Sequence, residues 1–168
     1  LGFATAIEAE RDTALALAMT TAQRLDVQAA FAAQDRPELT RLTLPMWLAL
    51  DKRFDVPQCQ FILPSMTSFL RLHALDTFDD DLGAYRLSIV DAIERREPVG
   101  GLEAGWAGLS IRGVAPVWYG RDFAGAVEFG MGFDRAFLTR YAADTGLELE
   151  VHLLESLLTG PMKGEGEA

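Results

Sequence analysis

Charged side chains occur inside apolar, β-prone segments of this chain, where a charge needs either a partner or a ligand. In the predicted strand 67–73, Phe69, Arg71 and His73 alternate with leucines, so a strand would project these three residues from one face. A guanidinium group offers a planar fork of donors that matches a carboxylate, and an imidazole adds a donor or a proton-sensitive charge. The spacing suits contacts with a small anion, which is one of two interpretations of these residues. The alternative is a solvated sheet face or an ion pair with a glutamate of another strand.

A further arginine, Arg112, lies in the middle of an apolar strand that we predict at 108–118. Glu128 occupies the corresponding place in the next predicted strand, 123–133, and a turn at 119–122 would bring the two side chains close together. Because an unpaired buried charge is costly, we favour a structural ion pair between Arg112 and Glu128. The alternative is a pocket role for Arg112.

Aromatic side chains and one more arginine stand near these segments. Tyr85 and Arg86 are adjacent near the start of a predicted amphipathic helix, 82–95. Trp118 ends the strand that carries Arg112, and its flat ring could stack on a ligand, although packing in a core or turn is the commoner fate of such a ring.

Motifs for catalysis, metals and cofactors are missing from the sequence. It contains no P-loop, no Gly-x-Ser-x-Gly and no nucleophile with an evident histidine partner, so we predict that the domain is not an enzyme. The histidines, His73 and His152, and the single cysteine, Cys59, form no zinc or haem motif. The acidic run 76–81 lacks the glycine and terminal glutamate of an EF-hand loop. We therefore expect no metal and no cofactor.

Composition places the chain among soluble globular proteins. Its 168 residues are 49% apolar and 24% charged, which suits a single domain. The net charge of −10 disfavours nucleic acid as a partner. No run of about 20 apolar residues is present, so nothing is predicted to span a bilayer. The chain starts at Leu1 without an initiator methionine or a basic leader, and we expect it to be a fragment of a longer protein.

The first third of the sequence predicts helices. Residues 3–34 contain no proline and show a 3.6-residue apolar period, which predicts one long helix. Pro37 suits the first turn of a second helix that runs to about Phe54, and Pro45 should kink or divide that helix. Pro57 ends the helical part, and the apolar period changes from 3.6 to 2.

The remainder predicts a sheet. Besides the helix 82–95, Asp134 should cap a helix at 135–145 that Gly146 ends. The predicted strands are 58–63, 67–73, 99–105, 108–118, 123–133 and 147–153, with turns that include Trp106-Ala107. We predict an α+β fold in which a five- or six-stranded antiparallel sheet carries helices against one face.

The order of these segments resembles a known family. The resemblance rests on the runs 69–73, Tyr85-Arg86, 98–103, 108–117 and 125–130. Together they resemble the Cache-type extracytoplasmic sensor domains of bacterial chemotaxis receptors, sensor kinases and cyclases, most strongly over residues 58–145. The resemblance implies a PAS-like fold and a single domain, 1–158, with a helical part at 1–56 and a sheet part at 57–158. The tail 159–168 is expected to be disordered or an expression remnant.

The resemblance also implies a function, namely ligand sensing by the periplasmic part of an inner-membrane protein whose flanking membrane helices are missing. The expected ligand is a small anion, such as the short carboxylates acetate, propionate, lactate or pyruvate. The receptor would be a homodimer that signals through its N-terminal helix. The first expectation for its class is a methyl-accepting chemotaxis protein. The expected ligand contacts are Phe69, Arg71, His73, Tyr85, Arg86 and Trp118. The alternative is a ligand-free dimerisation or interaction domain of a histidine kinase or cyclase.

Overall fold

The N-terminal part of the chain is helical. A computed structural model describes residues 2–105, 108–147, 149 and 152. It contains α1 (Phe3–Ala22), α2 (Leu25–Ala32) and α3 (Arg36–Phe54). The prediction of one continuous helix over 3–34 is wrong, because Arg24 adopts an extended backbone with φ −73° and ψ 119°. Its guanidinium group bonds to Asp26 and to the carbonyl of Leu42, which holds the chain in the break.

The third helix has a side-chain cap at its N-terminus. The Asp35 carboxylate accepts a hydrogen bond of 3.0 Å from the backbone N–H of Glu38. Pro45 lies inside the helix but does not divide it. Near its end, Trp47 Nε1 donates to the carbonyl oxygen of Val56 at 3.0 Å, which ties the helix to the chain that enters the sheet.

The sheet has five strands among the described residues, in the order β2-β1-β5-β4-β3, and every neighbouring pair is antiparallel. Its strands are β1 (Gln58–Ile62), β2 (Ser68–Arg71), β3 (Val99–Gly105), β4 (Gly108–Tyr119) and β5 (Asp122–Gly132). Two further helices are α4 (Leu87–Arg95) and α5 (Arg135–Thr145). Asp134 caps α5, and Gly146 ends it with φ 70°. The predicted α+β class with an antiparallel sheet is confirmed.

One face of the sheet packs against the N-terminal helices and carries the larger core. Phe31 of α2 lies between Phe61 of β1 and Phe69 of β2, with ring centroids 5.2 and 5.6 Å away. Helix α1 crosses β4 so closely that a Cβ atom at Gly113 would overlap the α1 backbone at Ala14. The helix and the strand therefore touch main chain to main chain.

The second face is covered by α4, which differs from the prediction that helices lie on one face alone. Ile89, Ala92 and Ile93 form the buried side of this helix. They pack with Val114 and Ala126 of the sheet in a smaller second core. Beside α4, residues 77–86, which we name the covering segment, lie over the same face and leave a cavity above the sheet.

Other predicted elements differ in length or lie outside the described residues. The helix predicted at 82–95 begins only at Leu87, and the strand predicted at 67–73 is limited to Ser68–Arg71. The Trp106-Ala107 turn, most of the strand predicted at 147–153 and the tail 159–168 lie outside the described residues. Among the helices that are described, none has the length and apolar character needed to cross a bilayer.

Candidate ligand pocket

A cavity of about 360 Å³ lies between the second face of the sheet and the covering segment. Strands β1, β2 and β4 form its floor, and residues 77–86 form its roof. Its lining combines arginines with amide, hydroxyl and acidic groups: Gln58, Gln60, Arg71, Thr77, Asp80, Leu82, Tyr85, Arg86 and Arg112. The volume suits a small metabolite rather than a polymer.

A buried carboxylate, that of Glu128, organises the polar side of this cavity. It accepts hydrogen bonds from Arg86 Nη2 and Gln60 Nε2, and Arg112 Nη1 lies 3.4 Å from its Oε1. Burial alone would raise the pKa of Glu128, but the guanidinium groups of Arg86 and Arg112 outweigh burial and lower the pKa to about 2. Glu128 is therefore a carboxylate at any physiological pH.

Arg86 bridges two acids at the start of α4. Its Nε donates to Glu103 Oε2 at 2.8 Å, while its Nη2 bonds to Glu128. Glu103 also accepts from the backbone N–H and the hydroxyl of Ser88, at 2.8 and 2.6 Å. Burial lowers the pKa of Arg86, but the two carboxylates outweigh it and the pKa is raised. The residue thus joins α4 to the sheet.

Arg112 is 3% exposed and occupies the centre of β4. It stands opposite Gly130, whereas Glu128 stands opposite Val114, so the two charges are diagonal neighbours on one face. Arg112 Nη1 donates to Gln58 Oε1 at 2.7 Å. Burial is the largest effect and lowers the pKa of Arg112, and the positive charge of Arg86 lowers it further. The negative charge of Glu128 raises this pKa but does not outweigh them. The Arg112 side chain is thus buried in a site that only partly neutralises it.

Arg71 joins β2 to the covering segment. Two parallel bonds of 2.7 Å connect its Nη1 and Nη2 to the carboxylate of Asp80, and Nη1 also donates to the carbonyl oxygen of Thr77 at 3.1 Å. The hydrogen bonds from Arg71 lower the pKa of Asp80. The Asp80 side chain is 42% exposed, compared with 12% for that of Arg71. This ion pair therefore lies at the solvent edge of the cavity.

Strand alternation predicted that Phe69 and Arg71 share one face of the sheet. The structure places them on opposite faces. The pairing of β1 with β2 shifts between Phe61 and Ile62, and this irregularity changes the alternation along β2. The Phe69 ring packs in the helix-covered core, and the Arg36 guanidinium lies 4.8 Å from its centroid. Phe69 is consequently separated from the cavity by the sheet.

His73 and Trp118 are also absent from the cavity lining. His73 follows the end of β2, where its Nδ1 lies 3.1 Å from the carbonyl oxygen of Cys59, and burial lowers its pKa. Trp118 is 37% exposed and stacks edge-on against Phe123 at 5.2 Å. It stands six residues along β4 from Arg112, about 20 Å at the rise of a strand. Of the proposed ligand contacts, Arg71, Tyr85 and Arg86 line the cavity.

Sequence reasoning missed several polar residues that line or support the cavity. Gln58 and Gln60 alternate with the buried Cys59 and Phe61, which is a period-2 signal that places both amides on one face. The position of β5 beside β1 gives Gln60 its partner, because Gln60 stands directly opposite Glu128.

The family to which this domain belongs is a sensory one. Residues 1–160 match the family described as "Double sensory domain of two-component sensor kinase" (dCache_3). The chain belongs to this family. The expected resemblance to a Cache-type sensor domain is confirmed.

Solved structures with the same fold are sensor domains as well. The chain is 18% identical to the DcuS sensor domain of E. coli, with a TM-score of 0.60 over 84% of this chain and 98% of that one. It is 13% identical to the sensor domain of the V. cholerae histidine kinase DctB, with a TM-score of 0.62 over 82% of this chain and 54% of that one. A comparison with curated protein sequences gives no match.

Proposed function

We propose that this domain is the extracytoplasmic sensor of a transmembrane signalling protein and that its cavity binds a small anionic metabolite, a short carboxylate. The observation that supports the proposal is the cavity of about 360 Å³ lined by Arg71, Arg86 and Arg112. Guanidinium groups at the rim and floor of a small, largely pre-formed cavity suit the recognition of an acid by charge-assisted hydrogen bonds.

The charges around the cavity decide how such an acid would bind. Its three arginines face three carboxylates, those of Asp80, Glu103 and Glu128. A ligand carboxylate must therefore use a vacant donor or replace one of these acids. Asp80 is the replaceable acid because it is the most exposed of the three, whereas Glu128 is 1% exposed. We infer that the ligand acts on Arg112 and on the Arg71–Asp80 pair, while Glu128 stays in place.

Transmission is proposed to run from the cavity floor to α1. Arg112 faces the cavity, and the next residue, Gly113, lies against the α1 backbone on the other side of the sheet. A shift of β4 on ligand binding would therefore move α1 without a flexible side chain between them. A ligand can change this equilibrium only by its difference in affinity for the two arrangements. The family description favours a sensor kinase as the output module over the chemotaxis receptor that the sequence suggested.

A thermal-shift screen of acetate, propionate, lactate and pyruvate tests ligand binding. A ligand at 100 times its Kd adds about 2.7 kcal/mol to the free energy of unfolding. The replacement Arg71→Ala should remove or weaken that shift, because it removes the donor fork at the cavity edge. The Arg41→Ala variant is the matched control, since Arg41 pairs with Glu38 on the surface of α3. A shift that survives Arg71→Ala unchanged would contradict the role of Arg71.

The equal number of charges also favours a second candidate, a ligand-free dimerisation or interaction domain of a membrane signalling protein. In that case the arginines and acids of the cavity serve only to hold the covering segment and α4 to the sheet. No carboxylate would then raise the melting temperature. Stabilisation that depends on protein concentration alone would support this second function.

A further inference from the structure

The covering segment is attached to the edge of the sheet as well as lying over the cavity. The backbone N–H of Asp79 donates to the carbonyl oxygen of Ser68 in β2 at 2.8 Å, and the N–H of Ser68 donates to the carbonyl oxygen of Asp80 at 3.0 Å. A bond of 2.9 Å also runs from the N–H of Leu82 to the carbonyl oxygen of Met66. We call this arrangement, with main-chain bonds between the covering segment and the β2 side of the sheet, the closed position.

Local features of this attachment raise the free energy of the closed position. Met66 and Asp79 have positive φ angles of 64° and 68°, in the left-handed region that residues other than glycine seldom adopt. The hydroxyl of Ser68 is buried and makes no hydrogen bond within the part of the chain that is described. Strained backbone persists only where the surrounding contacts hold it in place. We therefore looked for side chains that hold the covering segment closed.

Two arginines hold the covering segment, and they reach it from opposite sides of β2. Arg71 lies on the cavity side and binds the carboxylate of Asp80. Arg36, the first residue of α3, lies on the helix-covered side, where its guanidinium group stands 4.8 Å from the ring centroid of Phe69. The same guanidinium group lies 3.7 Å from the ring centroid of Phe78 in the covering segment. Arg36 thus joins a ring of the sheet to a ring of the covering segment.

The contacts of Arg36 serve different purposes. Its Nε donates to the carbonyl oxygen of Phe69 at 2.8 Å, which fixes the guanidinium group to β2. Its Nη2 lies 3.6 Å from Asp79 Oδ1, but the Asp79 side chain is 68% exposed, so solvent screens this ion pair and it contributes little. The contact with Phe78 is the stronger one to the covering segment, because the negative face of an aromatic ring attracts a cation placed over it.

We propose that Arg36 is a positioning residue that holds the covering segment closed and makes the opening of the cavity and a displacement of the first turn of α3 a single event. This inference goes beyond the proposed carboxylate binding, because it concerns how the cavity opens and not the chemistry of what fills it. It gives the cavity a connection to the N-terminal helices through its roof, in addition to the proposed route through β4 and α1. Since such coupling is reciprocal, a release at either end must be felt at the other.

Native-state hydrogen exchange tests the coupling from α3 to the covering segment. The N–H groups of Asp79 and Leu82 report on the closed position, and that of Leu72, which bonds to the carbonyl oxygen of Cys59 in β1, reports on the sheet. The variant Arg36→Ala should accelerate exchange at Asp79 and Leu82 about tenfold and leave Leu72 within about twofold. Arg36→Lys should accelerate the same two amides, because an ammonium group has no planar surface to stack on a ring. Equal acceleration of all three amides would indicate a general loss of stability and would overturn the proposal.

The variant Arg71→Ala tests the coupling in the reverse direction. It removes the bonds to the covering segment on the cavity side, so the ring contact of Arg36 should loosen and the first turn of α3 should move. The backbone amide of Glu38 lies in that turn, and its nuclear magnetic resonance shift should change in Arg71→Ala. Arg140→Ala is the matched control, because Arg140 pairs with Asp55 at the surface and makes no such connection.

A double variant, Arg36→Ala with Phe78→Ala, separates the ring contact from the other contacts of Arg36. If the two side chains act as one contact, the double variant accelerates exchange by less than the product of the two single effects. Effects that simply multiply overturn the proposal, as does exchange at Leu82 within about twofold of the wild type in Arg36→Ala. An unchanged Glu38 resonance in Arg71→Ala also overturns it. None of these measurements uses a ligand, so the thermal-shift screen decides the proposed function and these measurements decide the role of Arg36.

Discussion

The Glu128 carboxylate is shared by donors from three elements of the fold, and its loss should be felt by the whole domain. Replacing Glu128 by glutamine leaves Arg86 and Arg112 buried with less opposite charge. Removing one partner of a buried ionic group typically costs about 3–5 kcal/mol. We expect a loss of that size in the free energy of unfolding, measured by urea denaturation.

The matched control for this prediction is Glu38→Gln. Glu38 makes an ion pair with Arg41 on the surface of α3, where solvent screens the interaction, so its replacement should leave stability nearly unchanged. An equal effect of the two substitutions would show that Glu128 does not hold the buried cluster together.

The depressed pKa of Glu128 predicts a stability that falls in acid. The pKa is about 2 in the folded domain, against 4.5 for a free glutamate. The stabilisation is therefore complete above about pH 5 and is lost as the pH falls towards 2, a change on the order of 3 kcal/mol. Denaturation midpoints at several pH values measure it. The Glu128→Gln variant should lose this part of the acid dependence, and an unchanged slope in that variant would contradict the assignment.

For individual residues, the sequence predicts which charged side chains come together better than it predicts which face of the sheet a side chain occupies. The hairpin register was enough to predict that Arg112 and Glu128 come together, because both residues lie on strands joined by one short turn. The position of Phe69 could not be predicted, since it depends on an irregularity between β1 and β2 that no glycine or proline marks. The hydrogen bond from Gln60 to Glu128 depends on the order of strands in the sheet, which neighbouring residues in the sequence do not determine.

Among the secondary-structure elements, the contact of α1 with β4 depends on glycine. A Cβ atom at Gly113 would overlap the α1 backbone at Ala14 and Leu15, and backbone cannot rotate away as a side chain can. The replacement Gly113→Ala should therefore push α1 off the sheet. We expect a loss of about 1–3 kcal/mol or more in unfolding free energy, the usual cost of overpacking.

A nearby glycine provides the control for this substitution. Gly101 of β3 has no atom within 4 Å of where its Cβ would lie, so Gly101→Ala should be tolerated. Nuclear magnetic resonance shifts of α1 amides would report helix displacement in Gly113→Ala and its absence in Gly101→Ala. Unchanged α1 shifts in the first variant would mean that the contact does not fix the helix.

The sequence predicts the type of each described helix and strand but not every boundary. The change of period at Pro57 and the capping residues Asp35 and Asp134 are local signals, and the corresponding elements are present. The break between α1 and α2 depends on a long-range bond from Arg24 to the carbonyl of Leu42. Arg24 and Leu42 are 18 residues apart, so a helix prediction from local periodicity does not include this bond. Such a prediction therefore runs α1 and α2 together as one helix.

In the whole molecule, α1 presents a continuous exposed stripe on the side opposite the sheet. The stripe follows the helical period and is made of small or polar residues, with one methionine: Ala4, Thr5, Glu8, Ala9, Asp12, Thr13, Ala16, Met19 and Thr20. Small side chains allow two helices to approach closely. We expect two copies of α1 to pack in parallel along this stripe in the membrane-bound receptor, where the membrane segments would hold both chains in the same direction.

Cysteine cross-linking of the intact receptor tests this arrangement. Single cysteines at Thr5, Ala9, Asp12 and Ala16, introduced after replacement of Cys59, should form disulfides between the two chains, because these positions lie on the exposed stripe. A cysteine at Ala14, which is buried against the sheet, should not. The yield along the helix should thus rise and fall with a period near 3.6 residues. Uniform absence of cross-links would refute parallel pairing, and equal yields on both sides of α1 would indicate random collision.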